Sequence, residues 1–164
     1  MAAFRLGLIV NPIAGMGGAV GLKGSDTAEI VARARELGAI PKAPARATEA
    51  LGAIGAADMT LTLVTAAGDM GEREARDAGF APQVLGIAKE ADTIAADTVR
   101  AAEEMAGLPV DLILFAGGDG TARDMVRAVG GKIPVVGIPA GVKMHSAVYA
   151  TNPQSAARMV LRYM

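Results

Sequence analysis

Phe115-Ala116-Gly117-Gly118-Asp119-Gly120-Thr121 follows the apolar run Leu112-Ile113-Leu114 and precedes an amphipathic segment, Ala122 to Val129. That order reads as strand, glycine turn, helix. Three glycines around one aspartate let backbone pass close to a ligand with no Cβ in the way. Thr121 stands where a helix N-cap belongs, an arrangement that points free N–H groups and the positive dipole end into the turn. Such an end holds phosphate. The carboxylate of Asp119 is suited to holding a magnesium ion or accepting a hydroxyl proton. The stretch therefore reads as a site for nucleotide phosphates beside one acid; a plain tight turn is the other reading these residues allow.

Outward from this stretch the chain alternates strands with helices. Strands are expected over Arg5 to Val10, Met59 to Val64, Gln83 to Ile87, Asp111 to Ala116 and Ile133 to Ile138. Ser25 or Asp26 is expected to cap a helix whose apolar positions are Ile30, Val31, Ala34 and Leu37, with Glu29 completing a capping box with Asp26. A proline-broken connection, Pro41 to Pro44, leads to a second helix ending near Gly55. The turn Ala66 to Glu72 leads to a short charged helix reaching Ala78, with Asp69 and Glu72 placed to cap it or to meet a ribose hydroxyl. Asp92 or Thr93 opens a helix carrying Ile94, Thr98, Ala101 and Met105 on one face, with Thr98 expected toward the sheet. Pro139 to Ser146 is a further glycine turn leading to a helix, and Pro153 to Met164 closes the chain with Ala156, Met159, Val160 and Tyr163 at helical spacing. The methionines of this last helix and Met125 read as core.

The strand runs are continuously apolar, as strands covered on both faces should be. The expected fold class is α/β: a three-layer, open, mainly parallel sheet with helices on both faces and right-handed crossovers. Ligands in such sheets bind beyond the carboxyl ends of the strands. The loops from Asn11, Thr65, Gly117 and Pro139 all follow strands, so they converge on one edge.

A length of 164 residues, with no linker or repeat, suits a single domain over 1–164. Apolar residues make up 52% but aromatics only 3%, and so much alanine favours close helix-on-sheet packing over a bulky core. Sixteen basic against seventeen acidic residues give a net charge of −1, which argues against nucleic acid or an acidic membrane as a partner drawn by bulk charge. Cysteine is absent, which excludes disulfides, thiolate metal sites and a cysteine nucleophile, and fits the cytoplasm. Met1-Ala2-Ala3-Phe4-Arg5 enters a strand-like run without a signal peptide, and no apolar run reaches membrane-spanning length.

Other candidates cluster in the strand-following loops. Ile13 to Gly24 holds five glycines and Lys23, a loop able to present N–H groups and one point charge. It lacks the Gly-Lys-Ser/Thr of a Walker loop and the compact G-x-G-x-x-G of a dinucleotide fingerprint. Lys143, in the turn after the fifth strand, is placed to neutralise charge developing on a transferred phosphoryl group. Lys23 and Lys143 read equally well as solvated loop lysines. Arg123 is within reach of phosphate, and Asp124 lies in the first turn of the same helix, where it suits the dipole. His145 is the single histidine and reads first as a structural residue. Asp97 and Thr98 lie within a helix, and a functional role for them is the minor reading.

The set Asn11-Pro12…Gly15, Gly117-Gly118-Asp119-Gly120-Thr121 and Pro139-Ala140-Gly141 resembles the nucleotide-binding half of the NAD kinase and diacylglycerol kinase superfamily. Asn11 to Asp26, Met70-Gly71-Glu72, Ala96-Asp97-Thr98, Leu112 to Asp124 and Gly137 to Ala150 are similar to the bacterial ATP-NAD kinase-like proteins associated with acetoin-catabolism genes. Gly141-Val142-Lys143-Met144-His145-Ser146 carries that closer likeness. The resemblance implies a Rossmann-like domain that transfers a phosphoryl group from ATP, or from inorganic polyphosphate, to a hydroxyl with magnesium. For NAD kinases the acceptor is the adenosine ribose 2′-hydroxyl of NAD. It implies Asp119 as the residue that activates that hydroxyl or organises magnesium. The nucleotide-binding set it implies is Asn11, Pro12, Gly15, Gly17, Gly18, Lys23, Gly117, Gly118, Gly120, Thr121, Arg123, Gly141 and Lys143. The lipid kinases carry Gly-Thr-Gly-Asn where this chain has Ala140-Gly141-Val142-Lys143, so donor and acceptor handling is expected to differ. The superfamily continues into a β-rich second domain, absent from a chain that stops at Met164. One wall of a cleft supplies phosphate contacts but does not hold an acceptor in line. By itself the chain is then expected to bind nucleotide weakly and not to turn over NAD, unless a second copy or a further domain completes it. A lipid or sphingoid kinase domain and a non-catalytic nucleotide-binding module are the alternatives.

Overall fold

The computed structural model describes residues 3–25, 27–88 and 92–164. Five strands, β1 (Phe4–Val10), β2 (Leu61–Ala66), β3 (Gln83–Leu85), β4 (Leu112–Gly117) and β5 (Val135–Pro139), form one sheet in the order β3-β2-β1-β4-β5. Every neighbouring pair is parallel, with Leu6 opposite Leu63 on one side of β1 and Leu112 on the other. The helices are α1 (Met16–Ala19), α2 (Ala28–Glu36), α3 (Ala43–Gly55), α4 (Glu72–Asp77), α5 (Ala95–Ala106), α6 (Asp119–Val129) and α7 (Pro153–Tyr163). The α/β sheet with helices on both faces expected from the strand pattern is the fold observed.

Alternation along the central strands divides the core. Leu6, Leu8, Val10, Leu112 and Leu114 face α3 and α7, whereas Ile9, Ile113 and Phe115 face α5 and α6 through Met105 and Met125. Gly7 lets α5 approach, because a Cβ there would lie 2.3 Å from the Met105 sulfur. Helices α1 and α2 have a separate small core, Met16, Val31 and Ala34.

Several expected boundaries shift. Thr27, not Ser25, caps α2 by accepting the Ile30 N–H at 3.3 Å; Asp26 lies outside the described residues. Pro44 sits in the first turn of α3, where its missing N–H costs nothing, so the helix begins inside the proline-broken connection. The cap of α5 is Ile94, whose N–H is accepted at 2.9 Å by Asp97 from within the helix, which leaves Asp92 for another partner. The loop after β5 does not lead straight into a helix. It runs to Asn152, pairs Tyr149 with Gly137 beside the sheet, and reaches α7 only after Asn152 accepts the Ser155 N–H at 2.8 Å. In α7, Val160 is buried but Met159 and Tyr163 are about half exposed, so only part of its apolar stripe is core. Among the described residues no helix is long and apolar enough to cross a membrane.

Candidate functional site

Connections leave β1 toward β2 and β3 on one side, and β4 and β5 lie on the other. The switch in direction falls between β1 and β4, where an open parallel sheet has a crevice at its carboxyl edge. Asn11 follows β1 there and Gly118-Asp119 follows β4. The Asn11 amide donates to Thr121 Oγ1 at 3.0 Å, and the Asn11 N–H donates to the Ala116 carbonyl at 2.9 Å, so the two turns are joined.

Helix α6 starts three residues earlier than expected. Gly118 is its N-cap, and Thr121 is the third helical residue, reaching back to accept the Gly118 N–H at 3.3 Å. The N–H groups of Asp119 and Gly120 thereby fall in the first turn, where no helical carbonyl reaches them. With Thr121 Oγ1 already accepting two bonds, its hydroxyl proton remains to donate.

The glycines divide into two kinds. Gly15 has φ +77, and a Cβ on it would lie 2.1 Å from the Ala140 carbonyl oxygen. A Cβ on Gly17 would lie 1.6 Å from the Gly24 carbonyl, and one on Gly117 would lie 2.4 Å from the Thr121 side chain. These three close the loops on one another. Gly118 has φ −110, and neither it nor Gly120 has a positive φ. A Cβ on Gly118 meets nothing within 4 Å, and one on Gly120 meets only Arg123 at 3.9 Å. Room for a ligand, rather than backbone strain, is what they offer.

Asp119 projects toward the loop after β5. Its Oδ1 accepts the Ser146 hydroxyl at 2.7 Å and the Ser146 N–H at 3.0 Å; its Oδ2 accepts the His145 N–H at 2.9 Å. The Ser146 hydroxyl, followed by these backbone N–H groups, holds the Asp119 carboxyl below the usual carboxylate range. An acid so held is a fixed anion and a weak proton acceptor near neutrality. His145 enters the site through its backbone.

Two residues without a motif brace this loop. Tyr149 donates its hydroxyl to the Gly118 carbonyl, stacks edge-on against Phe115 at 5.4 Å, and is pushed up in pKa by burial, so it stays a neutral donor. Arg46, from α3, donates to the Pro139 carbonyl. Only Gly137 hinted at Tyr149 in the sequence: a glycine inside a strand often marks a close approach, and a Cβ there would lie 2.5 Å from the Tyr149 ring.

A cleft of about 910 Å³ gathers Asn11, Gly15, Gly18, Lys23, Gly118, Asp119, Gly120, Thr121, Arg123, Gly141 and Lys143. Gly17 and Gly117 lie behind its wall, and Pro12 faces a neighbouring cavity of about 530 Å³. Lys23, Arg123 and Lys143 stand against Asp92, Asp119 and Asp124 around the larger cleft, so cations are present but no strong net charge is. The two spaces adjoin at Ile13, Asp92 and Thr93. Asp92 pairs with Arg35 through two hydrogen bonds of 2.7 Å each.

The smaller cavity takes in Asp69, Asp97 and Glu74. Asp69 pairs with Arg73 at 2.8 Å. Glu72 accepts the Gly68 N–H of the preceding turn at 2.9 Å and pairs with Arg76, but it does not cap α4, whose N-cap is Gly71 without a side-chain bond. Thr98 is buried against the sheet, as expected. Glu74, unmarked in the sequence, is 3% exposed, has one oxygen without a partner, and is pushed up by burial to a pKa of about 7.

No group of three or more His, Cys, Asp and Glu among the described residues could hold a metal ion. Asp119, the cleft carboxylate at the first turn of α6, is the residue that would hold a metal ion there, with no cage of three or more ligating side chains around it among the described residues.

Against known proteins, the family model for the ATP-NAD kinase N-terminal domain matches residues 6–164. No curated protein matches the chain.

Proposed function

The chain belongs to the ATP-NAD kinase N-terminal domain family and is thus a nucleotide-binding kinase domain, and on that premise we propose that it serves transfer of the ATP γ-phosphoryl group to the adenosine ribose 2′-hydroxyl of NAD. We place it in the acetoin-catabolism-associated branch on Gly141 to Ser146. The observation that carries the reading is the meeting of the first turn of α6, Asp119, Lys23, Arg123 and Lys143 in one cleft at the switch point.

In this reading the N–H groups of the α6 first turn and the Thr121 hydroxyl receive phosphate oxygens, while Lys23, Arg123 and Lys143 spread over the rest of the triphosphate. The bond from γ-phosphorus to the β-bridging oxygen breaks as that to the ribose oxygen forms, so ADP leaves and the phosphate stays on NAD. Asp119 holds the acceptor and the charge pattern in place, and the departing hydroxyl proton passes to water. A magnesium ion, when bound, would be held beside Asp119 and would offset charge on the phosphates.

Separate calorimetric titrations with magnesium-ATP and with NAD test this. Both are expected to bind, magnesium-ATP at least about tenfold more weakly in Lys143→Ala. A folded chain that ignores ATP sinks the nucleotide reading, and one that binds ATP but not NAD sinks the acceptor assignment. Wherever the protein forms NADP, Asp119→Asn should cut transfer about 100-fold or more, with ATP affinity changed far less.

A further inference from the structure

Ser146 has no role in the scheme above, yet among the described residues it supplies the one side chain that hydrogen-bonds Asp119. It does so from behind. Ser146 borders a shallow groove with Ala122, Val126 and Val148 and does not border the larger cleft, whereas Asp119 does. The loop holding Ser146 is clipped at both ends. The Ala140 N–H donates to the Gly117 carbonyl at 2.9 Å, and Tyr149 donates to the Gly118 carbonyl. Between those clips the Val148 carbonyl accepts the Gly137 N–H at 2.8 Å, Asp119 holds the His145-Ser146 turn, and Gly141 and Lys143 stand at the cleft wall.

The His145 N–H donates to Oδ2 at 2.9 Å and to Oδ1 at 3.2 Å, and the Ser146 N–H donates to Oδ1 at 3.0 Å. The hydroxyl is a third donor, to Oδ1 at 2.7 Å. Three convergent donors fix the carboxylate plane as well as its position. We propose that Ser146 is a positioning residue, whose hydroxyl orients Asp119 and pins the loop that carries Lys143 to the phosphate cleft. For the ligand this rests on the nucleotide reading; the pin itself does not.

The test has two arms on the purified chain. Backbone amide exchange at His145 and Ser146 is expected to rise about tenfold or more in Ser146→Ala and in Asp119→Asn, to return toward wild type in Ser146→Thr, and to leave β4 and α6 unchanged. Unchanged exchange in Ser146→Ala, or a rise spread over the whole sheet, overturns the pin whatever the ligand does. In the second arm, magnesium-ATP affinity should fall about 5- to 20-fold in Ser146→Ala and recover in Ser146→Thr. Combined with Lys143→Ala, the loss should be less than additive, the double variant binding within about twofold of Lys143→Ala alone. Additive losses would show that the hydroxyl does not act through the loop. A wild-type chain that fails to bind ATP sinks the nucleotide reading and with it the role of Ser146 toward Lys143, while the exchange arm still decides the hold on Asp119.

Discussion

Gly15 and Gly120 are both small for a reason, but the reasons separate by experiment. Gly15→Ala forces a Cβ to within 2.1 Å of the Ala140 carbonyl at φ +77. It should cost more than about 2 kcal/mol, read as a lowered urea midpoint. Gly120→Val puts its side chain into open space, so circular dichroism should show an intact fold while ATP affinity falls by about tenfold or more. Unchanged affinity in that folded variant would make Gly120 structural only. Glu74 answers to pH instead. Its ordinary pKa of 4.5 is pushed up by burial to about 7, so the folded chain holds this proton more tightly than the unfolded chain. The unfolded state therefore binds fewer protons in that window, and stability falls as pH rises from about 4.5 to about 7. Glu74→Gln should remove a loss of about 1–2 kcal/mol between pH 5 and pH 8, checked by denaturant unfolding of both proteins at the two pH values. Parallel pH profiles for variant and wild type would show that the carboxyl is already ionised at pH 5.

Among the elements, α2 is the least anchored. It packs through Val31 and Ala34 onto Met16 of α1, outside the two cores of the sheet, and Gly24 and Gly38 flank it at φ +76 and +85. Its Arg35 is tied to Asp92, but both side chains are about half exposed, and such a pair contributes only about 0.2–1 kcal/mol. Trypsin should cut at Arg33 and Arg35 well before Arg46 of α3, and faster still in Asp92→Ala without a change in global melting temperature. First cleavage at Arg46 would show that α2 is as firmly held as the core. The same contrast explains what could be read from the chain. Strands β1 and β4 were legible to within about a residue at each end, because both faces are covered and their apolar runs are unbroken. Caps were less legible. Gly118 caps α6 with no side chain, so Thr121 drew the assignment; Asp97 caps α5 from inside the helix, so Asp92 and Thr93 did. At the site, residues in glycine turns announced themselves, whereas Tyr149 and Arg46 act through contacts 31 and 93 residues away that no local pattern encodes, and Glu74 stands out only by its burial.

At the scale of the molecule, the sheet order decides where a ligand should sit. Strands β1 and β4 are neighbours in space but come from the two halves of the chain, and the loops after β1, β4 and β5 all border the larger cleft. The turn after β2 borders the smaller cavity instead. Phosphate needs N–H groups and cations. The larger cleft supplies the α6 first turn with Lys23, Arg123 and Lys143. In the smaller cavity Arg35, Arg73 and Arg100 are each already paired, to Asp92, Asp69 and Asp97. Binding one nucleotide should therefore draw the two halves together without involving the turn after β2. A chain of 16.5 kDa suits amide chemical-shift mapping. Titration with magnesium-ATP should move the resonances of Gly15 to Lys23, Gly118 to Arg123 and Gly141 to Ser146, and leave Gly68 to Asp77 in place. Shifts centred on Arg73 and Glu74 would put the phosphates in the smaller cavity, where desolvated carboxyl groups oppose them, and would overturn the assignment of the cleft at the switch point.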